Sequence, residues 1–101
     1  MTIATTPDVS APLGAEADDW QHDAAQPYRL VFGELRIIGG AEYTTVQATA
    51  IQLSDGRIDD GGTCHGPCVY LGDDGLTSSQ ARELAAALVA AANEADAWLT
   101  K

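Results

Sequence analysis

The most regular hydrophobic pattern in the chain is its last. Over residues 76–101, LTSSQARELAAALVAAANEADAWLTK, apolar residues recur at helical spacing. Ala81, Leu84, Ala85, Leu88, Ala91, Ala92, Ala95 and Leu99 fall on one stripe at about 100° per residue. Thr77 and Gln80 stand three apart just ahead of that stripe. This is the spacing of a capping box, in which each side chain satisfies a backbone donor at the start of the helix. The opposite side carries Arg82, Glu83, Ala86, Ala90, Asn93, Glu94, Ala97 and Lys101. Its middle is only weakly polar, which makes Ala86, Ala90, Asn93 and Ala97 candidates for a partner-binding face.

Upstream the period changes from helical to strand-like. YRLVFGELRII, from Tyr28, is rich in β-branched and aromatic residues. Both of its parities are apolar, so it reads as a strand partly buried on two sides or bent at Gly33. GGAE at 39–42 is turn chemistry. YTTVQATAIQL then alternates cleanly: Thr44, Val46, Ala48 and Ala50 form a small apolar face that suits a helix packed close against it. SDGR at 54–57 is a hairpin-type turn. A third strand is expected within CVYLG at 68–72.

These elements predict an α+β domain over residues 28–101: a three-stranded antiparallel sheet followed by one C-terminal helix, βββα. Leu84 and Leu88 are expected to face the sheet near Val46, Ala48 and Ala50. A core of this size supplies only a few kcal/mol, so the domain benefits from a partner, a staple or a second copy.

Residues 1–27 differ in composition. They carry Asp8, Glu16, Asp18, Asp19 and Asp23 with no Lys or Arg, three prolines and little apolar periodicity. They are expected to form a disordered acidic arm. Trp20 stands out in DDWQH, either as an anchor onto the domain or as a contact to a partner. The whole chain has 15 acidic and 5 basic residues, a formal net charge of −10. That balance repels phosphate backbones and anionic membrane surfaces, so no direct nucleic-acid or membrane partner is expected. The N-terminus lacks the basic and apolar regions of a secretory signal, and no apolar run is long enough to span a bilayer. A cytoplasmic location is the expectation.

The chain holds one stretch with chemical potential, TCHGPC at 63–68, which contains both cysteines. Cys64, His65 and Cys68 are candidates for a metal site or a disulfide. A zinc site wants four well-spaced ligands, and adjacent Cys64 and His65 are poorly placed to share one ion. A disulfide here would close a very short loop and stabilise by about 2 kcal/mol in the chain-entropy model. A thioredoxin-type redox motif needs two residues between its cysteines and a helix after them, whereas three intervene here and VYL follows. The plainest reading is a Gly-Pro turn entering a strand. DGRIDDGG and GDDG are acidic turns without the alternating ligands of a calcium loop. No phosphate-binding loop or nucleophile elbow occurs, and Ser78 and Ser79 are helix-start residues. No cofactor and no enzymatic activity are expected.

The final third, VYLGDDGLTSSQARELAAALVAAANEADAW, resembles the ending of small actinobacterial and actinophage proteins, in which a strand leads through LT..QAR.LA..L..A into a terminal helix. The resemblance covers this segment alone. It implies an origin in an actinobacterium or its phage and carries no catalytic residues. The expected function is a non-enzymatic protein-interaction module, an accessory or regulatory subunit that binds another protein or forms a homodimer. Two alternatives stand beside it: an acidic mimic that occupies a nucleic-acid site on a host protein, and a small thiol or zinc protein using Cys64, His65 and Cys68.

Overall fold

The computed structural model describes residues 7–39, 44–61 and 66–99. Within them six short strands form one antiparallel sheet, and one helix follows. The strands are β1 (Glu16–Ala17), β2 (Tyr28–Phe32), β3 (Arg36–Ile37), β4 (Thr45–Leu53), β5 (Cys68–Leu71) and β6 (Asp74–Leu76); the helix is α1 (Ser78–Trp98). The order across the sheet is β1-β2-β4-β5-β6, and β3 also pairs with β4.

The chain is therefore α+β, but the three-stranded βββα expectation is overturned by three separate features. First, YRLVFGELRII does not run as one strand. Phe32 pairs with Thr49 and Arg36 with Val46, so three residues on one strand face two on the other. That is a β-bulge over 33–35. Gly33 N donates to Ala48 O at 2.9 Å, and the Gln47 side chain donates to Gly33 O at 3.0 Å. The bulge thus keeps both backbone groups of Gly33 satisfied while splitting the strand into β2 and β3. Second, GDDGL contains a strand. Gly72, with φ of 59°, turns the chain within two residues so that β6 pairs back on β5, Leu76 opposite Val69. Third, β1 lies in the segment expected to be disordered and adds an edge beside β2, with Ala17 opposite Val31.

The expected disordered acidic arm is corrected accordingly for residues 7–27. Asp18 N donates to Leu30 O at 2.9 Å, and Gln21 and Tyr28 exchange a pair of backbone bonds at 2.7 and 3.1 Å. These bonds use main-chain groups that any sequence possesses, so acidic composition does not prevent them. Two side chains of the sheet reach back to the same segment. Arg29 Nη2 donates to Val9 O at 2.8 Å and Gln52 Nε2 to Ser10 O at 2.9 Å.

The core is small and partly polar. Among the described residues the buried apolar side chains are Val31 and Leu53; Gln52, at 2% exposure, and Asp59 are buried beside them. Gln52 is tolerated because its amide is fully engaged. Its Oε1 accepts from Arg29 Nε at 2.9 Å, and its Nε2 also reaches Gly56 O at 3.2 Å. The Arg29 guanidinium in turn lies over the Trp20 ring, 4.4 Å from its centroid, a cation–π contact.

The helix does not cover the sheet. The Thr77–Gln80 capping box is formed, with Gln80 N to Thr77 Oγ1 at 3.1 Å and Thr77 N to Gln80 Oε1 at 3.0 Å. Beyond that start, none of the 21 residues of α1 is buried, and α1 touches only β5 and β6. The expectation that Leu84 and Leu88 pack near Val46, Ala48 and Ala50 is contradicted: Leu88 is 59% exposed. The reason is β6. It carries the chain to the far edge of the sheet before α1 begins, and only Thr77 lies between the two elements. A one-residue joint held in a capping box offers no loop with which to turn back over the sheet; such returns ordinarily take about 2–6 residues. The molecule is consequently elongated, 75 × 26 × 22 Å.

Candidate interaction surface

Two apolar surfaces result from this arrangement. The first is α1 itself. Leu84, Leu88, Ala91, Ala92, Ala95 and Leu99 share one side, and Leu99 is 85% exposed. Ala86, Ala90, Asn93 and Ala97, expected to form an outer face, are exposed too. No side of the helix beyond its first turns is screened from solvent by the sheet. Val89 and Trp98 add two more large exposed apolar side chains. The helix has three acidic residues, Glu83, Glu94 and Asp96, against Arg82; Asp96 borders the leucine side beside Ala92 and Leu99, and the other three lie away from it.

The second surface is the sheet face that the helix leaves bare. Antiparallel register places Val31 beside Ala50 and Val69 beside Ala48, and alternation points these four to the same side. They floor a groove of about 390 Å³. One wall is the turn at 12–15, in which Ala15 N donates to Pro12 O at 3.0 Å. Gly14 has φ of 82° there, the left-handed conformation that the third position of a type II turn demands. No charged side chain lines the groove among the described residues. Ala48 is exposed and Ala50 and Val69 are half-buried, while Val31 beneath them is already buried, so the part of the floor open to another backbone is small-residued and shallow.

The opposite face of the sheet holds a wider cleft of about 590 Å³, bordered by Thr49, Cys68, Tyr70, Asp60 and Gln80. Thr49 Oγ1 and Cys68 Sγ lie 3.2 Å apart, and Cys68 is a free thiol. Their contact is a hydrogen bond that joins β4 to β5, where Thr49 and Cys68 stand opposite one another. Cys64 and His65 lie outside the described residues. Among those described, no three His, Cys, Asp or Glu side chains are grouped to hold a metal ion.

Trp20 was a candidate for partner contact or for anchoring. The structure places it on Arg29, half-buried, where it ties residues 7–27 to β2. Sequence reasoning missed the hub formed by Arg29 and Gln52. The signal was present: both are polar residues at the parity of Val31 and Ala50, inside otherwise apolar strands. The groove was half legible, since the small face of Ala48 and Ala50 was identified while Val31, Val69 and the 12–15 turn were not assigned to it. Among the described residues no helix is long and apolar enough to cross a membrane. No known protein family, curated protein or solved structure matches the chain.

Proposed function

We propose that this chain is a non-enzymatic protein-interaction module, an accessory or regulatory subunit that works in the cytoplasm of an actinobacterium or of a phage-infected host, and that α1 is its binding element. One observation carries the reading: a 21-residue helix that buries none of its residues, with its leucines aligned along one side. In proteins, helices take most of their stability from packing an apolar side rather than from propensity. An exposed stripe of Leu88, Ala92 and Leu99, continuing from the half-buried Leu84, is therefore a surface awaiting a protein. The stalk-like projection suits it to reach a partner without obstruction by its own sheet.

The test is photo-crosslinking in the native setting. A benzophenone amino acid replaces Ala92 on the leucine side of α1 or, as a control, Asp73 in the β5–β6 turn, with the chain expressed in an actinobacterial host. Irradiation is expected to give a discrete protein adduct from position 92 and none from position 73. Absence of any protein adduct from position 92, including one between two copies, at expression levels where the chain is readily detected, would sink the proposal.

A further inference from the structure

The two unpartnered surfaces of this chain match one another. From that match, and resting on the reading of α1 as a binding element, we infer that the partner is a second copy, and that two copies exchange helices so that the distal half of each α1 lies in the sheet groove of the other.

The groove and the helix are complementary in chemistry. The floor of Val31, Ala48, Ala50 and Val69 and the wall from Pro12 to Ala15 carry no charge. Neither does the helix side formed by Leu84, Leu88, Ala91, Ala92, Ala95 and Leu99. The shallow floor suits the alanine-rich stretch, and the leucines supply the bulk that fills its margins.

The exchange is intermolecular because the joint forbids the alternative. Leu76 is paired to Val69, and Thr77 is held by both capping-box bonds to Gln80. Folding α1 back onto its own groove would break these contacts. A twofold axis beside the helices breaks none of them. It sets the two helices antiparallel and brings each far end to the other copy's sheet, so every chain gives and receives the same contact.

Size makes the pair a weak one. The distal half of a helix of 21 residues is about 16 Å long and about 10 Å wide. Covered twice and counted on both copies, that footprint is on the order of 600 Å², below the range for stable specific interfaces, so the two-chain species is expected to build up only at high concentration. Charge makes a distinct forecast. Each chain carries a formal −10 while the contacting surfaces carry none. Salt therefore screens the repulsion between copies and leaves the apolar contact intact, so association strengthens as salt rises.

The experiment measures mass by light scattering and sedimentation on the full chain across concentration and salt. Two variants accompany it: Ala48→Arg in the groove and Leu88→Arg on the helix. Both positions are exposed in the single chain, and amide spectra of the sheet verify that each variant folds. The wild type is expected to form a two-chain species that tightens at least several-fold between low and high salt. Each variant alone is expected to be a single chain. An equimolar mixture is expected to associate less than the wild type but more than either variant alone, because one of its two contacts, the intact helix of the Ala48→Arg chain in the intact groove of the Leu88→Arg chain, is preserved. A dimer that survives Ala48→Arg would overturn the inference, since the helices would then be pairing with each other. So would a mixture that associates no more than either variant alone. A wild type that remains a single chain throughout, while position 92 still gives an adduct with a different protein, would overturn the exchange and leave the interaction-module reading standing. A single chain with no adduct at all would remove both.

Discussion

Replacing Gln52 by Leu perturbs a buried side chain that joins three separate segments of the chain. Gln52 is 2% exposed and makes three hydrogen bonds, to Arg29 Nε, Ser10 O and Gly56 O. Leu fills a similar volume and satisfies none of these groups. Ser10 is exposed, so its carbonyl is rehydrated at little cost. Arg29 Nε and Gly56 O are then left short of a partner at about 1–3 kcal/mol each. The more apolar side chain returns about 1 kcal/mol through burial. The expected loss is about 1–5 kcal/mol, centred near 3. Against a total of about 5–15 kcal/mol for a domain of ordinary size, and with only Val31 and Leu53 as buried apolar residues among those described, this is a large fraction. The assay is urea unfolding at one fixed chain concentration in a Trp98→Phe background, so that Trp20 alone reports. A second readout is hydrogen exchange at the Asp18 and Gln21 amides, which donate to Leu30 O and Tyr28 O. Both amides are expected to lose protection along with global stability, because Ser10 and Arg29 no longer share a bridge. A change below about 0.5 kcal/mol, within the range of an ordinary surface substitution, with exchange at Asp18 and Gln21 unaltered, would show that the hub does not hold the N-terminal segment to the sheet.

Three further outcomes are expected. Leu88→Ala should cost less than about 0.5 kcal/mol at dilutions where the protein is a single chain, against the 2–5 kcal/mol of a packed leucine; a larger loss by urea unfolding would place Leu88 on the sheet after all. Gly66→Ala should destabilise by about 1–3 kcal/mol, because its Cβ would lie 3.0 Å from Asp60 O and 3.3 Å from Asp60 C, both backbone atoms. Gly39→Ala, with nothing within 4 Å, is the matched control, and equal melting temperatures for the two variants would count against the described loop packing. The Arg57 backbone N–H and guanidinium both donate to the Asp55 carboxylate, at 3.0 and 2.7 Å, and hold its carboxyl below its ordinary 3.8. The folded value is the lower one, so this contribution is present above 3.8 and is lost as pH falls through the folded value. An NMR titration should find the Asp55 midpoint below 3.8, and a midpoint at or above that value would mean the turn is open in solution.

What the sequence determined by itself is whatever depends on near neighbours along the chain. The 3.6-residue recurrence of Leu84 and Leu88, together with the Thr77–Gln80 spacing, specifies α1 and its start, since those contacts span one turn and involve no other element. The alternation of Val46, Ala48 and Ala50 specifies β4 and its apolar face in the same way. Charge, read by counting, needs no fold at all. Tertiary structure decided everything that rests on main-chain pairing between distant segments. Glu16–Ala17 and Asp74–Leu76 are strands because neighbours offer them free backbone donors and acceptors, and neither segment has a side-chain pattern that announces this. The bulge at 33–35 arises from register, a relation between two strands that neither sequence carries alone. The direction of α1 follows from β6: once three residues pair back on β5, a one-residue joint sends the helix off the edge of the sheet. The apolar face of β4 and the apolar side of α1 are both legible in the sequence; only the topology shows that they do not meet within the chain.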